Sequence, residues 1–199
     1  MSNNLLPEGF KDEVSKQAAV EHKYKNIIIN LFQSNGYNLI KTPMIEYDES
    51  LNSENSLKIE VGKNKKKLAI RDDITMQVAR LASARLSKKI RPLKLCYYGE
   101  VTRKEGSILR PERQFLQIGA ECIGESSYNA DIEMIELACT ALISVGIKNI
   151  SIELSSRIFL DKLYKKIQNK LELEKIKSLI RKKDINNSLK LVKSSDHQY

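Results

Sequence analysis

The run RQFLQIGAECI at residues 113–123 constrains this chain more than any other stretch. Side chains alternate faces along a strand, so Arg113, Phe115, Gln117, Gly119 and Glu121 fall on one side, while Gln114, Leu116, Ile118, Ala120 and Cys122 fall on the other. The second set is mostly apolar and is expected to pack against helices. The run LKLCYYGEVTR at 93–103 precedes it, joined by a glycine-bearing, charged loop at 104–112 that suits an antiparallel pair. There Tyr97, Gly99, Val101 and Arg103 share a face. A sheet face turned to water is often polar, but it rarely carries aromatics and glycines together. The expectation is therefore a ligand-bearing face, with Gly119 opening space between Gln117 and Glu121. Such polar groups in register suit a small zwitterion. Arg103 offers a guanidinium for bidentate contact with a carboxylate or phosphate.

The rest of the chain supplies helices to cover that sheet. Val14, Ala18, Ile27, Ile28 and Leu31 recur at near-helical spacing until Gly36, a natural helix stop. NLIKTPMIEY at 38–47 reads as extended, and Pro43 assigns it to an edge or interface. Residues 57–61 and 68–71 read as a hairpin with an exposed lysine-rich tip. It leads to Asp72 and Asp73, either of which can cap a helix carrying Ile74, Val78, Leu81 and Ala82 to about residue 88. A helix at 130–145 and a strand at 150–154 follow, and the pattern is helical from residue 157 onward. The predicted fold class is α+β, helices packed on a largely antiparallel sheet, with a core at 1–155 and a basic helical tail at 156–199.

With 199 residues, 41% hydrophobic and 30% charged, the chain can bury one sizeable core. Its net charge of +9 is unevenly spread, since residues 156–199 hold 12 Lys and Arg against 5 Asp and Glu. That tail has no glycine and few aromatics, which argues for a solvated basic helix face over a nucleic-acid site. No run approaches the length of a membrane span, and residues 1–8 lack a basic and apolar leader pattern, so a soluble cytoplasmic protein is expected. Cys96, Cys122 and Cys139 lack metal or redox spacing and read as buried hydrophobes. No metal or cofactor is expected.

RDDITMQVAR (71–80), LKLCYYGEVTRKE (93–105) and RQFLQIGAECIG (113–124) together resemble the class II histidyl-tRNA synthetase core, and within it the noncatalytic ATP phosphoribosyltransferase regulatory subunits. LLPEGFKD (5–12) and TPMIEY (42–47) fit the same family, the latter where the class II motif 1 proline forms a dimer interface. The resemblance implies a class II synthetase-like antiparallel sheet flanked by helices. It also implies that Asp73 stands where a synthetase glutamate holds the histidine amine, with Thr75 beside it. Arg103 and Glu105 match the motif 2 Arg-x-Glu, and Gln117 and Glu121 match the histidine-pocket pair.

The departures favour a regulator over an enzyme. RDDIT replaces the synthetase Arg-Pro-Glu-Gly-Thr, and neither the Arg-Gly-x-Asp-Tyr-Tyr segment nor a Gly-rich motif 3 is found, so the sequence reads as C-terminally shortened. Lacking the motif 3 arginine, charge developing on a transferred adenylyl group has no main stabiliser. The resemblance therefore implies a noncatalytic subunit, dimeric within a hetero-oligomer, that assembles with a short-form catalytic ATP phosphoribosyltransferase in the first step of histidine biosynthesis, with free histidine as ligand. The alternative is a degenerate or fragmentary histidyl-tRNA synthetase.

Overall fold

The computed structural model describes residues 5–51, 53–60, 66–154, 157–167, 169–182, 184, 186–187 and 190–191. They divide into two compact units, Met1–Ile150 and Ser151–Tyr199. In the first unit the elements run α1 (Lys16–Ser34), β1 (Asn38–Leu39), β2 (Ile45–Tyr47), α2 (Asp48–Leu51), β3 (Leu57–Ile59), β4 (Leu68–Ile70), α3 (Thr75–Ser83), β5 (Leu93–Thr102), β6 (Gln114–Ile123) and α4 (Tyr128–Ser144). Gly36, at φ +85°, ends α1 in a left-handed turn that a side chain would strain. The hairpin of β3 and β4 forms in register, Leu57 opposite Ile70, while its expected tip lies largely outside the described residues.

Two small sheets result, in the orders β1-β5-β6 and β2-β4-β3. β5 and β6 pair antiparallel along their whole length, from Leu93 opposite Ile123 to Thr102 opposite Gln114. β2 is an edge strand just past Pro43, as the proline requires. On one face of β5 and β6, Cys96, Ile118 and Ala120 meet Ile29, Phe32 and Tyr37 together with Leu137 and Ala141 of α4, the helix packing expected of that face. The opposite face differs from expectation. Leu95, Tyr97, Val101 and Phe115 pack with Ile74 and Val78, so α3 covers part of the face expected to lie open for a ligand.

Arg71 explains why α3 lands there. Its side chain is 6% exposed and lies over Gly99, where a Cβ would overlap the guanidinium. Nε donates to the Glu100 carbonyl (2.7 Å), and Nη1 donates to the Thr42 carbonyl (3.0 Å) and the Thr42 hydroxyl (3.1 Å). The Arg71 backbone N–H donates to Met44 O (3.0 Å) and its carbonyl accepts from Thr102 N–H (2.9 Å), joining the two sheets. Gly99 thus makes room for a structural cation rather than for a ligand.

Three further expectations change. The α3 helix stops at Ser83 instead of about residue 88; Ser83 and Ser87 hydroxyls donate to the Arg80 and Ala84 carbonyls, a competing local bond that loosens helical continuation. Residues 150–154 form no strand: Ile152 and Leu154 are 49% and 77% exposed, and among the described residues no strand pairs with them. Cys96 is buried, but Cys122 and Cys139 are only half-buried. In the second unit, α5 (Arg157–Lys166) and α6 (Lys170–Arg181) are separated by Asn169, whose Oδ1 accepts from the Leu171 N–H (3.0 Å) and caps α6. There Ile167 and Ile176 are buried, while Ile158 and Leu171 are exposed.

Gly99→Ala should displace the Arg71 guanidinium from its carbonyls and cost about 2–4 kcal/mol, read from the urea midpoint; a change within a few tenths would remove Arg71 as the joint. A pH effect is expected at Glu133, whose carboxyl the Lys94 ammonium (2.7 Å) and the Tyr37 hydroxyl hold below the ordinary 4.5. A carboxyl depressed on folding adds stability above its unfolded value and loses it as pH falls through its folded value. Lys94→Met should therefore be less stable than the parent at neutral pH, with the difference closing as urea titrations move to pH below about 4.

Candidate functional site

The start of α3 and the middle of β6 are brought together by one amide. Gln117 Oε1 accepts from the Ile74 backbone N–H (3.0 Å), which fixes the side-chain amide so that Nε2 donates to Asp73 Oδ2 (2.7 Å). The other carboxylate oxygen of Asp73 accepts from the Thr75 backbone N–H (2.7 Å). Asp73 therefore supplies the acceptor at the helix start, although Ile74, not Asp73, is the residue preceding the first helical one. Asp72 takes a different partner and accepts from the Ser53 hydroxyl (2.6 Å).

Tyr97 carries the connection onward. The register sets it opposite Gly119, and its ring lies across that glycine, where a Cβ would collide with the hydroxyl and ring carbons. The space expected above Gly119 is thus filled by the protein's own phenol. The Tyr97 hydroxyl donates to Glu121 Oε1 (3.2 Å) and sits 3.2 Å from Thr75 Oγ1. Burial pushes this phenol up to about 12, against the opposing Thr75 hydrogen bond and with the charges of Glu121 and Asp73 adding to the rise. Gln117, Asp73, Thr75, Tyr97 and Glu121 form one hydrogen-bonded chain.

Arg103 stands apart from that chain. Its guanidinium lies 5.0 Å from the Phe115 ring centre, and that of Arg110 lies 4.4 Å from the same centre. Both arginines line a cleft of about 350 Å³ that also reaches Asp72, Asp73, Glu105 and Glu112. The five predicted residues thus divide: Asp73 belongs to both groups, Thr75, Gln117 and Glu121 to the hydrogen-bonded chain, and Arg103 to the cleft. Thr75 is exposed and Glu121 half-buried, so this part of the site is a shelf on the surface.

Tyr97 and Arg110 are the members that site reasoning on the sequence omitted. An aromatic directly opposite a glycine across two paired strands was the available signal for Tyr97; no comparable signal marked Arg110. Another cleft, of about 450 Å³, opens on the other face between α1 and the sheet, lined by Glu21, His22, Lys25, Tyr98 and Glu100, and takes in none of the predicted residues. Among the described residues, no group of three His, Cys, Asp or Glu is placed to hold a metal, and no helix is long and apolar enough to cross a membrane.

A family model described as histidyl-tRNA synthetase matches residues 9–198. The ATP phosphoribosyltransferase regulatory subunit of Rhodospirillum rubrum is 38% identical over 158 residues, covering 76% of this chain and 41% of its own length. The protein of the same name from Bordetella pertussis is 32% identical, over 77% of this chain and 42% of its own length. The chain thus spans about two fifths of these relatives. In fold, it superposes on the crystal structure of an ATP phosphoribosyltransferase regulatory subunit/histidyl-tRNA synthetase from Bacillus halodurans C with a TM-score of 0.84 at 23% identity, covering 98% of this chain and 52% of the other. The α+β, class II synthetase-like fold is therefore the one adopted.

The Asp73–Gln117 bond makes these residues energetically coupled. A double-mutant cycle of Asp73→Ala and Gln117→Ala in chemical denaturation should return a coupling of about 1 kcal/mol or more, and additivity would mean that the two side chains are held independently.

Proposed function

Because the chain belongs to the histidyl-tRNA synthetase family, we propose that it acts as a noncatalytic regulatory subunit. It enables a short-form catalytic ATP phosphoribosyltransferase in the first step of histidine biosynthesis, in the cytoplasm, and takes free histidine as the feedback signal. The observation that carries this reading is the identity to proteins of that name across three quarters of the chain. The chemistry of the shelf accords with it. Asp73, Thr75 and Glu121 present acceptors for an ammonium and a ring N–H, and Arg103 offers a donor for a carboxylate across the adjoining cleft.

Copies of the chain pair through the segment at 42–47. In its favour, Met44, Ile45 and Tyr47 are 44%, 48% and 50% exposed beside an edge strand, an apolar strip that a partner would cover.

Mixed with a short-form catalytic ATP phosphoribosyltransferase, the chain should co-purify with it and raise its turnover; failure of both overturns the proposal. Glu121→Ala should weaken histidine binding in calorimetry by on the order of 1.5–3 kcal/mol, through loss of a charge-assisted hydrogen bond. Unchanged affinity would locate the ligand elsewhere. A synthetase would instead show histidine-dependent exchange of pyrophosphate into ATP, which the regulatory role predicts to be absent.

A further inference from the structure

Helix α4 carries two apolar faces. One is turned to the sheet, where Met134, Leu137 and Ala141 join the core of Phe32, Tyr37 and Cys96. The other is turned outward. Tyr128, Ile132, Ile135, Cys139 and Leu142 recur at spacings of four, three, four and three residues, which strings them along one side of the helix as the kind of seam that receives another helix. Tyr128, Ile132 and Leu142 are 87%, 53% and 40% exposed, and Ile135 and Cys139 are half-buried. A helix that is apolar on both sides is ordinarily covered on both.

Charge selects what can cover it. The chain as a whole is +9, yet α4 contains no Lys, Arg or His, and its charged residues are Asp131, Glu133 and Glu136. Glu133 is taken up by Lys94 (2.7 Å) and the Tyr37 hydroxyl (3.0 Å). Asp131 and Glu136 are exposed, border the seam on its two sides, and make no ion pair among the described residues. A second copy of α4 is a poor complement: a parallel pair sets Asp131 beside the other copy's Glu136, and an antiparallel pair brings the two copies of Glu136 together. A helix with an apolar face edged by lysines or arginines meets both the seam and its acidic borders.

We infer that the outward seam of α4 is a docking surface for a basic-edged amphipathic helix, and that the catalytic subunit supplies that helix. This rests on the proposed regulatory reading and adds the surface by which the partner is held. It is separate from the strip at 42–47, which lies on other elements.

The test uses the full chain with a purified short-form catalytic ATP phosphoribosyltransferase, reading complex formation by calorimetry and activation by turnover, at low and high salt. The parent should bind and activate, more weakly as salt rises. Ile132→Asp, which puts a charge into the seam at an exposed position, should weaken binding about tenfold or more. Glu136→Lys leaves the seam apolar, and should weaken binding about threefold while flattening its salt dependence. Circular dichroism should show both variants folded like the parent. Binding of parental strength in both variants overturns the seam as the docking surface and leaves the regulatory reading standing. Weakening in Ile132→Asp alone overturns the basic edge of the partner helix. Loss of self-association in Ile132→Asp, with the catalytic subunit still bound, assigns the seam to a second copy and overturns the inference. A parent chain that neither binds nor activates overturns the regulatory reading itself, and the inference falls with it.

Discussion

A guanidinium buried without a carboxylate in contact among the described residues is the constraint on which the first unit turns. Arg71 is satisfied by carbonyls and neutral side-chain oxygens, from Glu100, Thr42, Pro43 and Gln77. Burial lowers its pKa from the ordinary value, yet an arginine does not give up its proton in a protein, so the charge must be met by dipoles. Those dipoles come from the segment before β2, the end of β5 and the first turns of α3. Removing any one of them leaves a buried charge short of partners, which is why these elements keep a common geometry. Asp73 follows two residues later, and its position is inherited from this joint.

The two glycines of the paired strands have parallel roles on the same face. Gly99 receives the Arg71 guanidinium, and Gly119 receives the Tyr97 ring. Between them lies Gln117, opposite Gly99 in the register, tied at once to the Ile74 N–H and to Asp73. The face is neither an open ligand floor nor a plain core. It is a layer of large side chains laid flat on glycines, with polar atoms carried to the rim.

How much of this could be read from the sequence depends on the range of the interaction. The pairing of β5 with β6, the division of their faces and the common side of Gln117 and Glu121 follow from a period of two and were legible. That Asp73 and Thr75 join them came from resemblance, since no local pattern ties residue 73 to residue 117. What stayed hidden was decided by tertiary neighbours. α3 covers a face that alternation alone leaves open, Tyr97 takes the volume over Gly119, and residues 150–154 find no ladder despite their β-branched character.

The electrostatics of the candidate site divide, and the division bears on the ligand proposed for it. On the shelf, the polar atoms beyond the protein's own bonds are chiefly acceptors, on Asp73, Thr75 and Glu121. In the cleft that begins at Asp73, the guanidiniums of Arg103 and Arg110 flank Phe115. A ligand reaching across Asp73 therefore passes from an acceptor-rich region to one with cationic donors. A zwitterion whose ammonium and carboxylate are a few bonds apart, the ligand class proposed for this site, gains from both.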